Sequence, residues 1–231
     1  ETALPSGHAW GIGNALLFGN SFNDLIGGDG VGEGNVIGSS AEYGIAFRDG
    51  SSGTVIQGNY IGTDYTGTQT LSHVYGTGHA SAGIHVGAVS ALFPGRNPHD
   101  ILIGGPGAGA RNIISGNTYS GGPELVAGVN INDGAYNVTV QNNYIGTDVT
   151  GENALPNDYG VQLATWDAYE TSENLIGGAG MGEGNLISGN TLAGVSITGP
   201  GTSDISVIGN SITGNGELGI DLDTTGVTPN D

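Results

Sequence analysis

The sequence predicts an all-β fold, a single-stranded right-handed parallel β-helix of about six coils with three short strands in each coil. A glycine-rich segment that contains Ile-Gly-Gly and then Asn-x-Ile recurs at 23–38, 100–116 and 174–189. A second segment, Asn-Tyr-Ile-Gly-Thr-Asp-x-Thr-Gly, occurs at 59–67 and 143–151. Helical periodicity is absent. Internal repetition on this scale is typical of a stack of similar coils rather than of a globule.

Pairs of glycine and an aliphatic residue mark the start of each predicted coil. They recur at intervals of 25 to 45 residues. Each interval contains two further strand-like pieces, which in the last interval are 205–208 and 211–213. Variable loop insertions account for the unequal intervals. The predicted coil starts are Gly11-Ile12, Gly44-Ile45, Gly83-Ile84, Gly128-Val129, Gly160-Val161, Gly194-Val195 and Gly219-Ile220.

Residues at matching places in the repeat are predicted to stack on one another. Isoleucines are expected to face inward and asparagines to lie at strand ends. Asparagine accepts the left-handed backbone of a corner, and its amide bonds the same amide one coil away. The inward registers are Ile26, Ile103 and Ile176, then Ile61, Ile145 and Ile212, and the asparagine sets are Asn35, Asn112 and Asn185, then Asn59, Asn143 and Asn210.

Length and composition favour one β-helix domain over residues 1–231. The 47 glycines follow no three-residue period, which excludes collagen, and there is no cysteine to form a disulfide. We expect both ends to be cuts in a longer chain.

The charge balance excludes several classes of partner. Three arginines and no lysine stand against 22 acidic residues, for a net charge of −19. Such a surface repels nucleic acid and anionic membranes. No apolar run is long enough to span a bilayer, so we expect no membrane insertion. The composition is compatible with a secreted or cell-surface protein.

The two repeat segments together resemble the right-handed β-helix repeats of large secreted bacterial surface proteins. The closing segment, 214–231, is similar to the segment that ends such arrays. The resemblance covers nearly the whole chain. It implies a pectate-lyase-like fold, secretion and attachment through a separate domain. It does not imply an activity, because few members of the family have an assigned function and fold alone does not carry one.

The leading functional hypothesis is a non-catalytic extracellular β-solenoid that acts as a stalk, a filament or matrix unit, or an adhesin. The glycine, asparagine and Thr-Asp positions of the repeat all have structural explanations. An uncapped solenoid end exposes unpaired strand edges, so we expect the ends to meet neighbouring domains or copies of the same protein end to end. We assign no catalytic residue and no metal ligand.

The alternative hypothesis is a carbohydrate-active enzyme or carbohydrate-binding domain of the polysaccharide lyase, hydrolase or epimerase type. A lyase uses an arginine or lysine base with a cation, and Arg48 follows a predicted strand from which it can face a groove. Trp166, Asp167, Tyr169 and Glu170 share one insertion. Because aromatic rings stack on sugar faces and carboxylates bond hydroxyls, these five residues are the candidate carbohydrate contacts. The competing explanation is that the rings pack the insertion onto the rod.

Paired carboxylates are a weaker indication of hydrolysis. Asp133 and Asp158, with Asp167 and Glu170, are candidates for a pair on neighbouring coils. Nothing marks one pair, however, and 22 acids on a glycine-rich rod produce such proximities by chance.

No metal motif is complete. The glycine-rich segment superficially resembles the calcium-binding nonapeptide of toxin β-rolls, but the required acid appears only as Asp29, Glu33 and Glu183. Asp64 and Asp148 are better explained as turn formers that bond their own backbone. Incidental binding of calcium to the acidic surface stays an open alternative.

The histidines do not form a zinc motif either. His73 and His79 lie in one insertion, His85 on the strand after it, and His99 further along. No pair of them has the close spacing of a zinc site.

Overall fold

The computed structural model describes residues 14–38, 40, 42–71, 82–87, 96–118, 125–165 and 169–222. In this part of the chain there are 21 short strands, one 3₁₀ turn at Ala108–Ala110 and no α-helix. The strands are β1 Leu16–Gly19, β2 Leu25–Gly27, β3 Val36–Ile37, β4 Tyr43–Arg48, β5 Val55–Gln57, β6 Tyr60–Ile61, β7 Ala82–Gly87, β8 His99–Gly104, β9 Ile113–Ile114, β10 Ala127–Asn132, β11 Tyr136–Gln141, β12 Tyr144–Ile145, β13 Tyr159–Ala164, β14 Thr171–Ser172, β15 Leu175–Gly177, β16 Leu186–Ser188, β17 Val195–Thr198, β18 Thr202–Ser203, β19 Ser206–Ile208, β20 Ser211–Thr213 and β21 Ile220–Asp221.

The strands form three parallel sheets that the chain visits in turn. Sheet A has the order β1-β4-β7-β10-β13-β17-β21, and sheet C has the order β3-β6-β9-β12-β16-β20. Sheet B begins with β2-β5-β8-β11. In each of the last two full coils its strand is divided into two short pieces, β14 and β15 and then β18 and β19. Six full coils and the first strand of a seventh result. The predicted solenoid of three-stranded coils is therefore confirmed.

The predicted coil starts are confirmed from the second coil onward, but the first one is wrong. Leu16, rather than Ile12, pairs with Ile45. Ile45 in turn pairs with Ile84 of the third coil, as predicted. Ile12 lies outside the described residues. The physical reason for the register is core packing, since Leu16 and Phe18 both face inward and Phe18 stacks on Phe47 with ring centroids 5.0 Å apart.

The core consists of aliphatic columns that run along the solenoid axis. The predicted inward registers are confirmed, and the intervening coils complete them. Each fully buried aliphatic side chain contributes about 1.5–3 kcal/mol to folding. The column of sheet B is Ile26, Ile56, Ile103, Val140, Ile176 and Val207, and that of sheet C is Ile37, Ile61, Ile114, Ile145, Ile187 and Ile212.

The six predicted asparagines form one continuous ladder between sheets B and C. Each Nδ2 donates to the Oδ1 of the next asparagine, as in Asn59 to Asn112 (3.0 Å) and Asn112 to Asn143 (2.8 Å). The same Nδ2 groups also donate to backbone carbonyls, for example from Asn143 to Ile103. The ladder comprises Asn35, Asn59, Asn112, Asn143, Asn185 and Asn210.

A second asparagine ladder lies between sheets C and A, where the sequence analysis did not predict one. It comprises Asn117, Asn157, Asn190 and Asn215. The spacing of these asparagines along the sequence is irregular, because Asn157 follows the long turn at 146–156. The ladder also explains the glycine at the second position of the sheet A strands β7, β10 and β13. A Cβ on Gly128 would lie 2.9 Å from the Asn157 amide nitrogen and 2.8 Å from the Gly160 carbonyl oxygen.

Candidate functional site

Arg48 lies three coils away from Tyr169 and Glu170, the two candidate contacts of the shared insertion that the structure describes. Arg48 ends β4 in the second coil, whereas Tyr169 and Glu170 lie between β13 and β14 in the fifth. Three coils correspond to about 14 Å along the axis. The Glu170 carboxylate accepts a hydrogen bond from the Ser203 hydroxyl in the sixth coil. Trp166 and Asp167 lie outside the described residues, so their role as carbohydrate contacts stays a prediction.

Arg48 instead belongs to a largely buried polar cluster on the side of sheet A that faces away from the core. Four strands of this sheet, β4, β7, β10 and β13, are six residues long, and their inward residues are the apolar ones. The residues between them therefore face away from the core. One outward column contains Ala46, His85, Asn130, Gln162 and Ser196. We call Tyr43, Arg48, His85, Asn130, Asn132 and Gln162 the polar face of sheet A.

His85 is a buried, neutral histidine on the polar face. Its ring stacks on that of Tyr43, with centroids 4.3 Å apart and an interplanar angle of 20°. The side chain is 5 % exposed. Burial, and then the positive charge of Arg48, lower the pKa of His85 to about 3. Its Nδ1 has no hydrogen-bond partner among the described residues.

Tyr43 and Arg48 form the second-coil end of the polar face. The Arg48 guanidinium carbon lies 5.6 Å from the centroid of the Tyr43 ring, and its Nη2 lies 3.9 Å from the Glu42 carboxylate. The Nε of Arg48 is buried without a described partner. Burial raises the pKa of Tyr43, and the charges of Glu42 and Asp133 add to this while Arg48 opposes it. The phenol therefore stays protonated.

Two asparagines extend the polar face to the fourth coil. Asn130 donates from Nδ2 to the Gln162 Oε1 at 3.4 Å, but its own Oδ1 has no partner in the described structure. The Asn132 Oδ1 lies over Gly87, where an added Cβ would overlap it, and it too is unpaired there. Sequence reasoning identified only Arg48. The missed signal was a polar residue between inward aliphatic residues, as in Ile84-His85-Val86.

The acids of the repeat turns are engaged in local hydrogen bonds. Asp148 accepts from the Thr150 hydroxyl at 2.6 Å and from the Asn153 side-chain amide at 2.7 Å. Burial alone raises the pKa of Asp148, but these hydrogen bonds outweigh it and lower the value to about 2. Asp64 accepts in the same way from Thr66. The prediction that both aspartates form turns is confirmed.

The glutamates of the glycine-rich segment also have a structural role. Glu33 accepts from the backbone N–H of Gly30, and Glu183 accepts from that of Gly180. Asp158 accepts from the backbone N–H of Val126 and from the Thr191 hydroxyl. Each of these carboxylates therefore stabilises a loop.

The described residues contain no group of three or more histidine, cysteine or acidic side chains placed to hold a metal ion. Within the same residues, no helix has the length and apolar character needed to cross a membrane. His99 stacks on Tyr136 at 4.6 Å. His73 and His79 lie outside the described residues.

The chain matches no family model, no curated protein and no solved structure.

The buried His85 predicts an acid-dependent stability. Because the folded state binds the His85 proton more weakly than the unfolded chain does, the contribution of His85 to the free energy of unfolding is greatest above pH 6.5. It falls as the pH is lowered from 6.5 toward 3. Between pH 6.5 and 4.5 the expected loss is about 2–3 kcal/mol. Urea denaturation of the wild type and of His85→Asn at both pH values measures it. Equal losses in the two proteins would contradict the prediction.

Proposed function

We propose that this chain is a non-catalytic extracellular β-solenoid that serves as a stalk, a filament or matrix unit, or an adhesin. The observation that carries the proposal is the asparagine ladder, which runs unbroken through all six full coils. The ladder and the aliphatic columns engage the repeated residues in coil-to-coil contacts. A repeat built in this way favours a rigid rod that presents its surface at a distance.

Two further observations support an extracellular location and the class of surface repeat protein. A net charge of −19 keeps a rod dispersed and suits a surface in contact with salts and cations. The resemblance to the repeats of large secreted bacterial surface proteins supports secretion or cell-surface display. Calcium held loosely by the acidic surface is part of the same proposal.

The proposed partners are neighbouring domains or copies that continue the stack end to end. The apolar rung of the sixth coil, Ile205, Val207 and Ile212, is only partly buried, whereas Ile176 and Ile187 of the fifth are fully buried. Among the described residues, β18, β19 and β20 pair with no later strand. A partly buried rung beside such a strand edge favours a further coil stacked on it. Such head-to-tail contacts produce filaments when they do not close into a ring.

Sedimentation velocity over a range of concentrations tests the end-to-end contact. We expect a concentration-dependent shift to elongated species, and we expect Ile208→Glu in the last full coil to weaken it by tenfold or more. Met181→Glu is the matched control, because Met181 is 99 % exposed on a lateral loop. A monomer at all concentrations, or equal effects of the two variants, would overturn this part of the proposal.

Turnover assays separate the scaffold from the carbohydrate-active alternative. Pectin, alginate and neutral glycans are incubated with the protein, with and without calcium, and new reducing ends and unsaturated products are measured. We expect neither product. Turnover that Arg48→Gln abolishes would establish an enzyme instead.

A further inference from the structure

The outer side of sheet B carries a tyrosine–histidine stack that is open to solvent. His99 and Tyr136 pair in register, and their rings stack with centroids 4.6 Å apart and an interplanar angle of 4°. The Nδ1 of His99 lies 2.9 Å from the Asn97 carbonyl oxygen, so the imidazole donates to it and is held in place. Both residues are only partly buried, whereas Tyr43 and His85 of the polar face are buried. The stack on sheet B is therefore an accessible aromatic surface.

One face of the Tyr136 ring is directed toward small side chains. The register runs from His99 through Tyr136 to Ser172 of the fifth coil and Ser203 of the sixth. Because the two rings are parallel and one coil apart, the face of Tyr136 opposite His99 is turned toward Ser172. Ser172 and Ser203 are themselves partly exposed. Among the described residues, no arginine lies over this face of the ring.

The chain places an arginine beside two other tyrosines of its sheets. The guanidinium carbon of Arg111 lies 4.1 Å from the centroid of the Tyr144 ring. Arg48 lies beside the Tyr43 ring of the other tyrosine–histidine stack, and its Nη2 is 3.9 Å from the Glu42 carboxylate. Tyrosine, histidine and a carboxylate thus accommodate a guanidinium on sheet A. The stack on sheet B has the same components and no arginine from the described chain.

Exposed carboxylates flank the stack on sheet B. They belong to residues with a left-handed φ of 52–57° at the start of the sheet B strands, namely Asp100, Glu173 and Asp204. Glu170 adds a fourth, because its carboxylate accepts from the Ser203 hydroxyl at the Ser172 side of the ring. Arg96, three residues before His99, is the described arginine nearest to the stack along the chain. The four carboxylates outnumber it and favour a cationic ligand.

We propose that Tyr136, Ser172 and Glu173 bind the guanidinium of an arginine in a basic segment of a partner protein. This site goes beyond the proposed scaffold function and does not depend on it. The guanidinium stacks on the open face of Tyr136 and donates to the Glu173 carboxylate. Lysine carries the same charge but no planar group, so arginine is preferred. A second copy of this chain is a poor partner, because its net charge of −19 repels the same carboxylates.

Nuclear magnetic resonance with capped tripeptides tests the ligand. The probes are Gly-Arg-Gly, Gly-Lys-Gly and Gly-citrulline-Gly in about 0.15 M salt, which screens non-specific attraction. We expect the arginine peptide to shift the ring resonances of Tyr136 and His99 and to bind about fivefold more tightly than the lysine peptide. The citrulline peptide should not bind. Equal affinity for arginine and lysine, or no shift at these rings, would overturn the proposal. Shifts with calcium or a neutral oligosaccharide but not with the arginine peptide would also overturn it.

Substitution of Tyr136 separates stacking from general attraction to an acidic rod. We expect Tyr136→Ser to weaken binding of the arginine peptide about fivefold and to remove its advantage over the lysine peptide. The fold should persist, because serine already occupies the neighbouring rung at Ser172. Circular dichroism checks this. Tyr65→Ser is the matched control, since Tyr65 is 75 % exposed beside Asp64 on another side of the rod. Unchanged binding in Tyr136→Ser, or an equal loss in both variants, would contradict the site.

Substitution of Glu173 tests the carboxylate. Glu173→Gln should weaken binding of the arginine peptide severalfold, because the guanidinium loses its charged acceptor. Glu152→Gln removes the same charge from an exposed turn on another part of the surface and should have little effect. If the two variants lose affinity equally, net charge rather than Glu173 holds the peptide and the proposed site is wrong.

Discussion

Replacing Asn143 with alanine should lower the free energy of unfolding by about 4 kcal/mol. Asn143 lies at the centre of the longer ladder and is fully buried. Its Nδ2 donates to Ile103, Gln141 and Asn185, and its Oδ1 accepts from the backbone and side-chain nitrogens of Asn112. Alanine leaves several of these groups buried and unpaired, where water cannot replace the amide. Guanidinium denaturation followed by circular dichroism measures the loss.

The matched control is Asn210→Ala at the last rung of the same ladder. Asn210 makes equivalent bonds to Ile176 and Asn185, but it is only partly buried. Water can therefore satisfy the groups that it leaves, and we expect a loss of about 1 kcal/mol. Equal losses at the two positions would show that the ladder does not stabilise the fold through burial of its amides.

Replacing Gly104 with alanine should cost more than about 4 kcal/mol or prevent folding. Gly104 has a φ of +92°, and an added Cβ would overlap the Gln141 carbonyl oxygen of the next coil and crowd the Asn143 amide. Neither the carbonyl nor the amide can move without breaking the stack. Soluble yield and the thermal midpoint by circular dichroism measure the effect.

Gly32 separates steric overlap from backbone strain. Its φ is +85°, close to that of Gly104, but an added Cβ would meet nothing within 4 Å. Gly32→Ala should therefore cost only the left-handed strain of a non-glycine residue, about 1–2 kcal/mol. If Gly32→Ala and Gly104→Ala destabilise equally, close approach of the coils is not what requires glycine in the repeat.

The parts of the fold that repeat were open to prediction from sequence. Ile26 and Ile176 recur in the same motif, and a motif that returns in successive coils must stack on itself. The same logic assigned Asn59 and Asn143 to corners. It failed at the first coil, where a glycine followed by Ile12 resembled the other coil starts although Leu16 forms the pair with Ile45.

The candidate site was mostly outside the reach of sequence reasoning. Arg48 is identified because it follows a strand, whereas His85, on the strand after an insertion, enters the sequence analysis only as a zinc-ligand candidate. His85 lies 37 residues from Arg48 in the chain and one coil away in space. Asn130 lies a further 45 residues on, in the next coil. Insertions of irregular length set these separations, so no fixed spacing in the sequence marks the surface.

The repeated residues are enough to predict the solenoid, its inward aliphatic columns and its asparagine corners, because repeated residues in a stack interact with their own copies. Which non-repeating residues share a face depends on how the coils stack. The outward residues of sheet A do not belong to the aliphatic core, so His85, Asn130 and Asn132 can differ from coil to coil. Their proximity to Arg48, and their unpaired polar atoms, arise only when the coils are stacked in register.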